Sequence, residues 1–310
     1  MNILVTAIGS MSAKCVIQSL KKKHNVFGCD IYPAEWHAES SLCKKTFQVP
    51  LAKKNKSYIV SLLSICKENN IDCICPLTDP EIDVINKYRK SFRQILLAIP
   101  DKRVLNIVRN KENLYNFFEK DQFVFVPKTR NSTTINKSFF PCIAKPKNGR
   151  SSEGVFNLRK IEEAIVLDNV DNYIFQKKIK GRVCTVDYIR SSSQKKDFQI
   201  HREELIRTSN GAGLTIRLFD DSKLTTIVKH IGELLNINGC ICLEFIKDSS
   251  GQYFLIDINP RFSAGIAFSL IAGYDFPSAH INVHCNKMLA EIEIKKKNQL
   301  IQKNYQEVTL

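Results

Sequence analysis

The chain has 310 residues, of which 44% are hydrophobic and 25% charged, and its formal net charge is +15. This length accommodates about two domains, and the composition is that of a globular protein with a proper core. The positive charge could indicate a nucleic-acid, membrane or acidic small-molecule partner. The lysines are scattered, however, and no basic stripe with interleaved aromatic residues occurs. A lysine-rich, solvated surface is therefore the preferred interpretation, and a nucleic-acid partner is not expected.

Eleven cysteines could suggest disulfides or zinc, but their spacing argues against both. Cys73 and Cys75, for example, lie inside an apolar β-type run, where cysteine behaves as a small hydrophobe. No CxxC pair occurs, and His280 and His284 lack a third ligand, so a zinc site is not expected. The odd cysteine count and the lack of a signal sequence indicate a reducing cytoplasm. No apolar run approaches the ~20 residues that cross a bilayer, so no membrane partner is expected.

The first hundred residues alternate between strand and helix patterns. A strand over residues 2–7, a helix over 12–22 and a strand over 26–30 make a β–α–β unit, which resembles the opening of a Rossmann-like fold. Gly9 is the only glycine in the first turn, so the GxGxxG fingerprint is absent and an NAD site is not expected. The alternation continues to about residue 100 and predicts a small parallel-sheet domain.

A glycine-bearing hairpin follows in the middle of the chain. Residues 141–146 form a strand that carries Lys145, residues 147–154 form a polar loop, and residues 155–158 form the returning strand. Such a hairpin can fold its backbone N–H groups over a phosphate while the lysine supplies positive charge. An ordinary mobile hairpin is the alternative interpretation.

The segments around this hairpin are assigned from periodicity. Residues 105–120 are predicted to form one helix, and residues 224–235 an amphipathic helix. Strands are predicted over residues 172–179 and 181–189, paired with each other across a turn. Residues 201–207 alternate charged and apolar side chains, which is typical of an antiparallel strand with one buried face.

The most informative stretch is residues 252–265, an apolar strand that ends in Asp257, Asn259 and Arg261. Alternate side chains of a strand share a face, so all three can point into one site. A carboxylate and an amide oxygen suit a hard cation such as Mg²⁺, and an adjacent arginine suits phosphate. A strand end with polar residues in the following turn is the alternative.

A second carboxylate favours the metal interpretation. Residues 239–245 form a buried strand with a lone acid, Glu244, and a turn at residues 248–251 joins it to the next strand as a hairpin. Glu244 and Asp257 could then face each other. Two facing carboxylates repel unless a cation lies between them.

Together these motifs resemble the ATP-grasp superfamily, in particular its short members similar to carbamoyl-phosphate synthases, over nearly the whole chain. The segments that carry the resemblance are residues 75–81, Asn110-Lys111, Pro127-Lys128-Thr129, Lys145-Pro146, Gly149 to Val155, Gly181 to Asp187, and Glu244 with residues 257–261. The resemblance implies a mixed α/β and α+β architecture in three parts. These are a Rossmann-like N-terminal domain (residues 1–100), a small subdomain with a phosphate lid (101–175), and a C-terminal lobe with the metal and substrate site (176–310).

The resemblance also implies a role for each matching residue. The residues that would bind the nucleotide are Lys111, Lys145, Ser151, Ser152, Gly154, Gln176, Lys177, Ile179 and Asp187. The ligands of Mg²⁺, which Mn²⁺ could replace, would be Glu244, Asp257 and Asn259. The catalytic arginines would be Arg261 on the transferred phosphate, and Arg202 and Arg207 on the substrate carboxylate or acyl phosphate.

One position departs from the family pattern. Many relatives have a glutamate that contacts the ribose where this chain has Val183, and valine cannot accept hydrogen bonds from hydroxyl groups. Either nucleotide affinity is weaker here, or Asp187 or another group takes over the contact. Loss of activity is a third option, against which the intact lysines and metal ligands argue.

The implied function is an ATP-dependent carboxylate–amine ligase that activates a carboxylate as an acyl phosphate and releases ADP and phosphate. Mg²⁺, lysine and arginine would neutralise the two anionic reactants and hold them in line. The substrates would be a small, acidic carboxylate and an amine. One alternative is a subunit of a carbamoyl- or carboxy-phosphate-type synthase. Another is a catalytically silent, basic nucleic-acid-binding protein. The two substrates and the oligomeric state, a homodimer included, do not follow from the sequence.

Overall fold

The structure is a computed structural model, and it describes residues 1–149, 153–165, 167, 169–290 and 298–310, without the side chain of Ile165. The helices in this part of the chain are α1 (Ala13–Leu20), α2 (Asn55–Glu68), α3 (Asp79–Lys87), α4 (Lys102–Val108), α5 (Lys111–Phe118), α6 (Ile161–Ile165), α7 (Ser222–Leu234), α8 (Ile266–Ala272) and α9 (Phe276–His284). The strands are β1 (Asn2–Thr6), β2 (Asn25–Asp30), β3 (Thr46–Gln48), β4 (Cys73–Cys75), β5 (Leu96–Leu97), β6 (Thr129–Arg130), β7 (Cys142–Pro146), β8 (Phe156–Leu158), β9 (Tyr173–Lys177), β10 (Arg182–Ser191), β11 (Lys196–Arg207), β12 (Gly213–Phe219), β13 (Gly239–Lys247), β14 (Tyr253–Asn259) and β15 (Leu300–Gln302).

The first five strands form a parallel sheet in the order β3-β2-β1-β4-β5, which we call the N-terminal sheet. Its central strands are continuous apolar runs, as expected of strands whose two faces are both covered by helices. Ile3, Leu4 and Val5 of β1 and Cys73 and Cys75 of β4 are all buried. The predicted parallel sheet and the placement of these cysteines as small core residues are therefore confirmed.

The connection after this sheet differs from the prediction. Residues 105–120 do not form one helix, because the chain breaks between α4 and α5. The side chain of Asn110 accepts a hydrogen bond from the backbone N–H of Asn113 at 3.1 Å and so starts a new helix. An N-cap asparagine competes with continuation of the preceding helix. The break places Lys111 at the first position of α5.

Strands β6 to β9 form a second, antiparallel sheet in the order β6-β9-β7-β8, which we call the small sheet. It contains the predicted hairpin β7–β8. The predicted pairing of the next two strands is wrong, because β9 pairs with β6 and β7 whereas β10 pairs with β11 and β13. Between them the chain passes against the large sheet, so closely that a Cβ at Gly181 would lie 2.1 Å from the carbonyl oxygen of Lys247.

The remaining strands form an antiparallel sheet in the order β14-β13-β10-β11-β12-β15, which we call the large sheet. β11 is a central strand, and its residues His201, Arg202 and Glu203 are all buried. The prediction of one buried face therefore fails for residues 201–203, since neighbouring elements cover both faces. The antiparallel pairing itself is confirmed.

The N-terminal sheet and the large sheet share one hydrophobic core. Val16 and Ile17 of α1 belong to the same buried cluster as Phe276 and Ile281 of α9. A polar contact fixes the same junction, because the Ser19 hydroxyl lies 2.9 Å from that of Ser278. Within the described residues, no helix has both the length and the apolar character that a membrane crossing requires. The cytoplasmic location stays a prediction.

Candidate active site

A cavity of about 330 Å³ opens where the three sheets meet. Eight of the residues predicted to bind or react line this one cavity: Lys111, Lys145, Arg202, Arg207, Glu244, Asp257, Asn259 and Arg261. They come from α5, β7, β11, β13, β14 and the loop after β14, so residues up to 150 positions apart in the chain converge here.

An irregularity in β14 aims the acidic end of that strand at the cavity. Leu255 pairs with Phe245 and Asp257 pairs with Glu244, so Ile256 is an extra residue in β14. On a regular strand Leu255 and Asp257 would share a face. Because of the bulge, Leu255 is fully buried in the core while Asp257 lines the cavity. A bulge that redirects a side chain is a common feature beside active sites.

A second irregularity brings Arg207 to the same side as Arg202. Five residues apart, the two arginines would lie on opposite faces of a regular strand. The register of β11 against β12 shifts between Glu204 and Ile206, and again between Ile206 and Arg207. Both arginines consequently line the cavity.

The predicted metal ligands are two facing carboxylates and an amide. Glu244 and Asp257 are direct register partners, as the sequence predicted. Lys111 Nζ lies 2.7 Å from Asp257 Oδ2, and Arg207 Nη2 lies 3.3 Å from Glu244 Oε2. Burial raises the pKa of Glu244, and Asp257 raises it further while Arg207 opposes the shift. A divalent cation would relieve the repulsion between the two acids.

These residues fit Mg²⁺ as a partial shell. In the part of the chain that the structure describes, no group of three or more His, Cys, Asp or Glu side chains could hold a metal ion. Two carboxylates with the Asn259 amide oxygen suit Mg²⁺, which usually keeps waters and phosphate oxygens as its other ligands. His280 is a structural residue, because it accepts a hydrogen bond from the Cys240 N–H at 2.8 Å and its other ring nitrogen lies 3.1 Å from the Ala98 carbonyl oxygen.

Lys145 lies near the end of β7 in the small sheet, and it lines the cavity. Burial lowers its pKa to about 8, and Lys111 contributes to the shift, whereas Asp257 and Glu244 oppose it. The glycine-bearing loop begins two residues later. Gly154 has a φ of +68°, and a Cβ there would lie 2.9 Å from Pro146, so a side chain at this position would be strained. Ser151 and Ser152 lie outside the described residues.

Arg261 is held from the N-terminal side of the cavity by Asp79, the first residue of α3. Its Nε and Nη2 atoms donate to Asp79 Oδ2 at 3.0 Å and 2.9 Å. Burial alone would raise the pKa of Asp79, but Arg261 and Arg109 outweigh it and lower the pKa. Sequence analysis included Asp79 only in the segment 75–81 that carries the family resemblance. An acid at a helix start gives no indication of a partner 182 residues away.

Arg202 is part of a buried ion-pair network. Its Nη1 donates to Asp187 Oδ2 at 2.5 Å and its Nε donates to Glu204 Oε1 at 3.1 Å. Ser269 Oγ donates to the same Asp187 oxygen at 2.6 Å. The structure places Asp187 in the interior, with no exposed surface, and not in the cavity lining.

Three of the residues predicted to bind the nucleotide, Gln176, Lys177 and Ile179, lie apart from the cavity lining. Gln176 is buried, and its amide nitrogen donates to Thr129 Oγ1 at 3.0 Å. The Lys177 ammonium group lies 5.1 Å from the centre of the Phe139 ring, and Ile179 follows the end of β9. Cavity-lining residues that the sequence analysis missed include Ser10 and Ser263.

Comparison with known protein families identifies both parts of the chain. The family model described as an ATP-grasp domain matches residues 108–265, and the one described as a PylC-like N-terminal domain matches residues 3–99. The chain therefore belongs to the ATP-grasp family, as its motifs predicted. Its N-terminal part is similar to the N-terminal domain of PylC-like proteins. No curated protein matches the chain.

Solved structures share the fold at low sequence identity. Biotin carboxylase from Campylobacter jejuni has a TM-score of 0.76 and 15% identity, over 93% of this chain and 72% of that one. N5-carboxyaminoimidazole ribonucleotide synthetase from Thermotoga maritima has a TM-score of 0.70 and 16% identity, over 94% and 78%. The L-amino acid ligase from Bacillus licheniformis has a TM-score of 0.73 and 13% identity, over 91% and 74%. The predicted fold is confirmed.

Family membership also confirms the predicted class of enzyme. The protein is an ATP-dependent ligase of the carboxylate–amine type, which uses ATP and Mg²⁺ and forms a C–N bond with release of ADP. Its substrates are small molecules.

Proposed function

We propose that the cavity is the active site, where a small carboxylate becomes an acyl phosphate and is then attacked by an amine. The observation that carries the proposal is the set of ion pairs in the cavity. Each acid that would hold Mg²⁺ is paired with a cation that would hold an anionic substrate group: Asp257 with Lys111, and Glu244 with Arg207. The ligand-free site is thus neutral where Mg²⁺ and the reacting anions would bind.

This pairing suggests how the site accepts its ligands. Mg²⁺, when bound, would be held by Glu244, Asp257 and Asn259 and would neutralise phosphate charge. Lys111 and Arg207 would then leave the two acids and turn to the new anions. Lys111 and Lys145 would hold nucleotide phosphates, and Arg207 the carboxylate or acyl phosphate. Because the ions exchange partners, metal and nucleotide binding would support each other.

The other two arginines fit binding of a planar anion. Arg261 is fixed by two hydrogen bonds to one oxygen of Asp79, so its guanidinium plane is set before a ligand arrives. The Nη2 atom of Arg202 donates no hydrogen bond to any of the described residues. Gly265 lies beside this atom, and a Cβ at residue 265 would lie only 3.2 Å from it. Guanidinium groups recognise carboxylate and phosphate in this way. Arg261 and the Nη2 atom of Arg202 are therefore the groups that would bind an acidic carboxylate substrate.

The three-part division predicted from the sequence remains our proposal for how the protein is organised. Residues 1–100 would carry the N-terminal sheet, residues 101–175 the hairpin that covers the phosphates, and residues 176–310 the metal site. Support comes from the strands, since each of the three sheets lies almost entirely within one of these ranges.

The test is a screen for ADP release with Mg²⁺, ATP and mixtures of amino acids, sugar acids and amines. Turnover should require both a carboxylate and an amine. Asp257→Ala and Lys145→Ala should abolish it while the circular dichroism spectrum stays that of the parent protein. Lys178→Ala, at an exposed lysine directly after β9 and outside the cavity lining, serves as the matched control. Unchanged turnover in Asp257→Ala or Lys145→Ala would overturn the assignment of the site.

A further inference from the structure

We propose that the cavity contains a subsite for a protonated amine, and that the free carboxylate oxygen of Glu204 is its anchor. The inference rests on the proposed function, because it assigns one of the two substrates to a place in the same cavity. The amine would enter as an ammonium ion, the form that dominates for a simple amine at neutral pH.

The first argument is an acceptor without a donor. The Glu204 side chain is only 3% exposed, and its Oε1 atom accepts the hydrogen bond from Arg202 Nε. Its Oε2 atom is buried and receives no hydrogen bond from any described residue. A buried carboxylate oxygen in this state is costly, and proteins rarely leave one unpaired. Glu204 lines the cavity, so a donor on a ligand could reach this atom.

The second argument is charge. The Arg202 guanidinium is shared by two carboxylates, those of Asp187 and Glu204. Two carboxylates and one guanidinium leave the network with a net negative charge. Asp187 lies in the interior, so Glu204 is the carboxylate of the network that a ligand in the cavity can reach. Lys303 is a nearby cation, but its ammonium group donates to the Ala264 carbonyl oxygen at 2.7 Å. It forms no ion pair with Glu204 in the described part of the chain.

The third argument is shape. A Cβ on Gly213, which also lines the cavity, would lie 1.9 Å from Glu204 Oε2, so the carboxylate can hold this position only because residue 213 is glycine. The Ser263 hydroxyl borders the same cavity, is buried, and has no hydrogen-bond partner among the described residues. An anionic substrate would be repelled by Glu204 and drawn to the arginines. A cation with N–H donors would balance the negative charge of Glu204 and donate a hydrogen bond to its Oε2 atom.

The test begins with a binding probe that does not depend on turnover. Methylammonium chloride is titrated by NMR into the full chain loaded with Mg²⁺ and ADP, and tetramethylammonium, which has the same charge but no N–H donor, is titrated in parallel. We expect methylammonium to bind more tightly than tetramethylammonium. Glu204→Gln and Gly213→Ala should weaken methylammonium binding roughly ten- to a hundredfold, the usual effect of losing a hydrogen bond to a charged group. ADP affinity should not change.

The matched control is Glu203→Gln. Glu203 is the neighbouring residue of β11, but it pairs with Arg182 at 3.3 Å and does not line the cavity. This variant should bind methylammonium as the parent does. Gly213→Ala keeps the carboxylate group but displaces its Oε2 atom from this position, so it tests the subsite even if Glu204→Gln folds poorly.

Three outcomes would overturn the inference. They are methylammonium binding that is the same in Glu204→Gln and Gly213→Ala as in the parent, equal binding of tetramethylammonium, and a loss of Mg²⁺ affinity in Glu204→Gln without any effect on methylammonium. Failure of the proposed function looks different, because then no carboxylate–amine pair would release ADP although Glu204 still bound methylammonium. If a substrate pair is found, Glu204→Gln should raise the KM of the amine about tenfold or more and leave the KM of ATP unchanged.

Discussion

Two sets of ion pairs border the cavity, and they differ in how far water reaches them. The pairs Lys111–Asp257 and Arg207–Glu244 are partly exposed, with 12% to 30% of each side-chain surface accessible. We call them the open pairs. The network of Arg202 with Asp187 and Glu204 is almost completely buried, with at most 3% of any side chain accessible. We call it the closed network.

The difference in exposure indicates that ion pairs serve two purposes at this cavity. An ion pair in contact with water can separate at little cost, because each ion regains hydration when its partner leaves. A buried pair cannot separate without leaving an unpaired charge in a medium of low dielectric constant. We therefore infer that the open pairs exchange partners when ligands bind, whereas the closed network keeps its geometry and supports the arginines and Glu204.

The largest effect that follows from this comparison is on stability. Arg202→Met removes the cation of the closed network and leaves Asp187 and Glu204 buried without it. We expect a loss of roughly 3–5 kcal/mol in the free energy of unfolding, as for other broken buried pairs. Urea denaturation followed by circular dichroism measures it. Arg207→Met, in an open pair, should cost less than about 1 kcal/mol. Equal losses in the two variants would contradict the distinction.

The second effect is on the catalytic rate, and it comes from an arginine of the open pairs. Arg207→Met should lower kcat by about 10²–10³-fold, because a charge that stabilises the reacting anions is lost. Its circular dichroism spectrum and urea midpoint should remain close to those of the parent. Arg217→Met is the control, since Arg217 lies on the neighbouring strand, pairs with Glu203 at 3.6 Å and does not line the cavity. If kcat falls equally in both variants, Arg207 has no special role.

Sequence patterns predicted the chemistry of the open pairs well. Alternation along β14 placed Asp257, Asn259 and Arg261 at one site, and the hairpin predicted that Glu244 would face Asp257. These inferences depend on neighbours a few residues apart in the chain or on a tight turn. Local patterns carry information of that kind.

Such patterns could not reveal the closed network, the bulge that places Arg207, or the contact between Asp79 and Arg261. A bulge in β11 decides that Arg207 joins Arg202, and periodicity alone cannot reveal a bulge. Asp187 was predicted as one group that could contact the ribose in place of a residue at position 183. The neighbouring residues in the chain gave no sign that Arg202 and Ser269 would bind its carboxylate in the interior. The contact from Asp79 to Arg261 depends on how the N-terminal sheet docks on the large sheet, and that is a property of the whole fold.

A smaller effect should come from Asp79, because its pair with Arg261 is intermediate in exposure between the open pairs and the closed network. Asp79 is almost completely buried while its partner Arg261 is 19% exposed, so the pair fixes an arginine that still reaches the cavity. Asp79→Asn should lower kcat/KM for the carboxylate about tenfold by loosening the guanidinium. Such an effect corresponds to about 1.4 kcal/mol. The KM of ATP should stay near the parent value, which separates this positioning role from a structural one. Because Asp79 is buried, the urea midpoint should fall, but by less than in Arg202→Met, since asparagine keeps an acceptor for Arg261. A rise in the KM of ATP that accompanies the loss of kcat/KM would contradict it.

The smallest effect is a pH dependence of nucleotide binding through Lys145, which faces the open pairs. Its pKa of about 8 lies below that of an ordinary lysine, so the ligand-free protein loses this charge as the pH rises. Phosphate oxygens bind the protonated form, and ADP affinity should therefore fall about twofold from pH 7 to pH 8 and about tenfold by pH 9. Lys145→Arg should flatten the profile, because guanidinium stays charged throughout this range. Calorimetric titration of ADP with Mg²⁺ measures both proteins, and an equally steep profile in Lys145→Arg would assign the titration to another group.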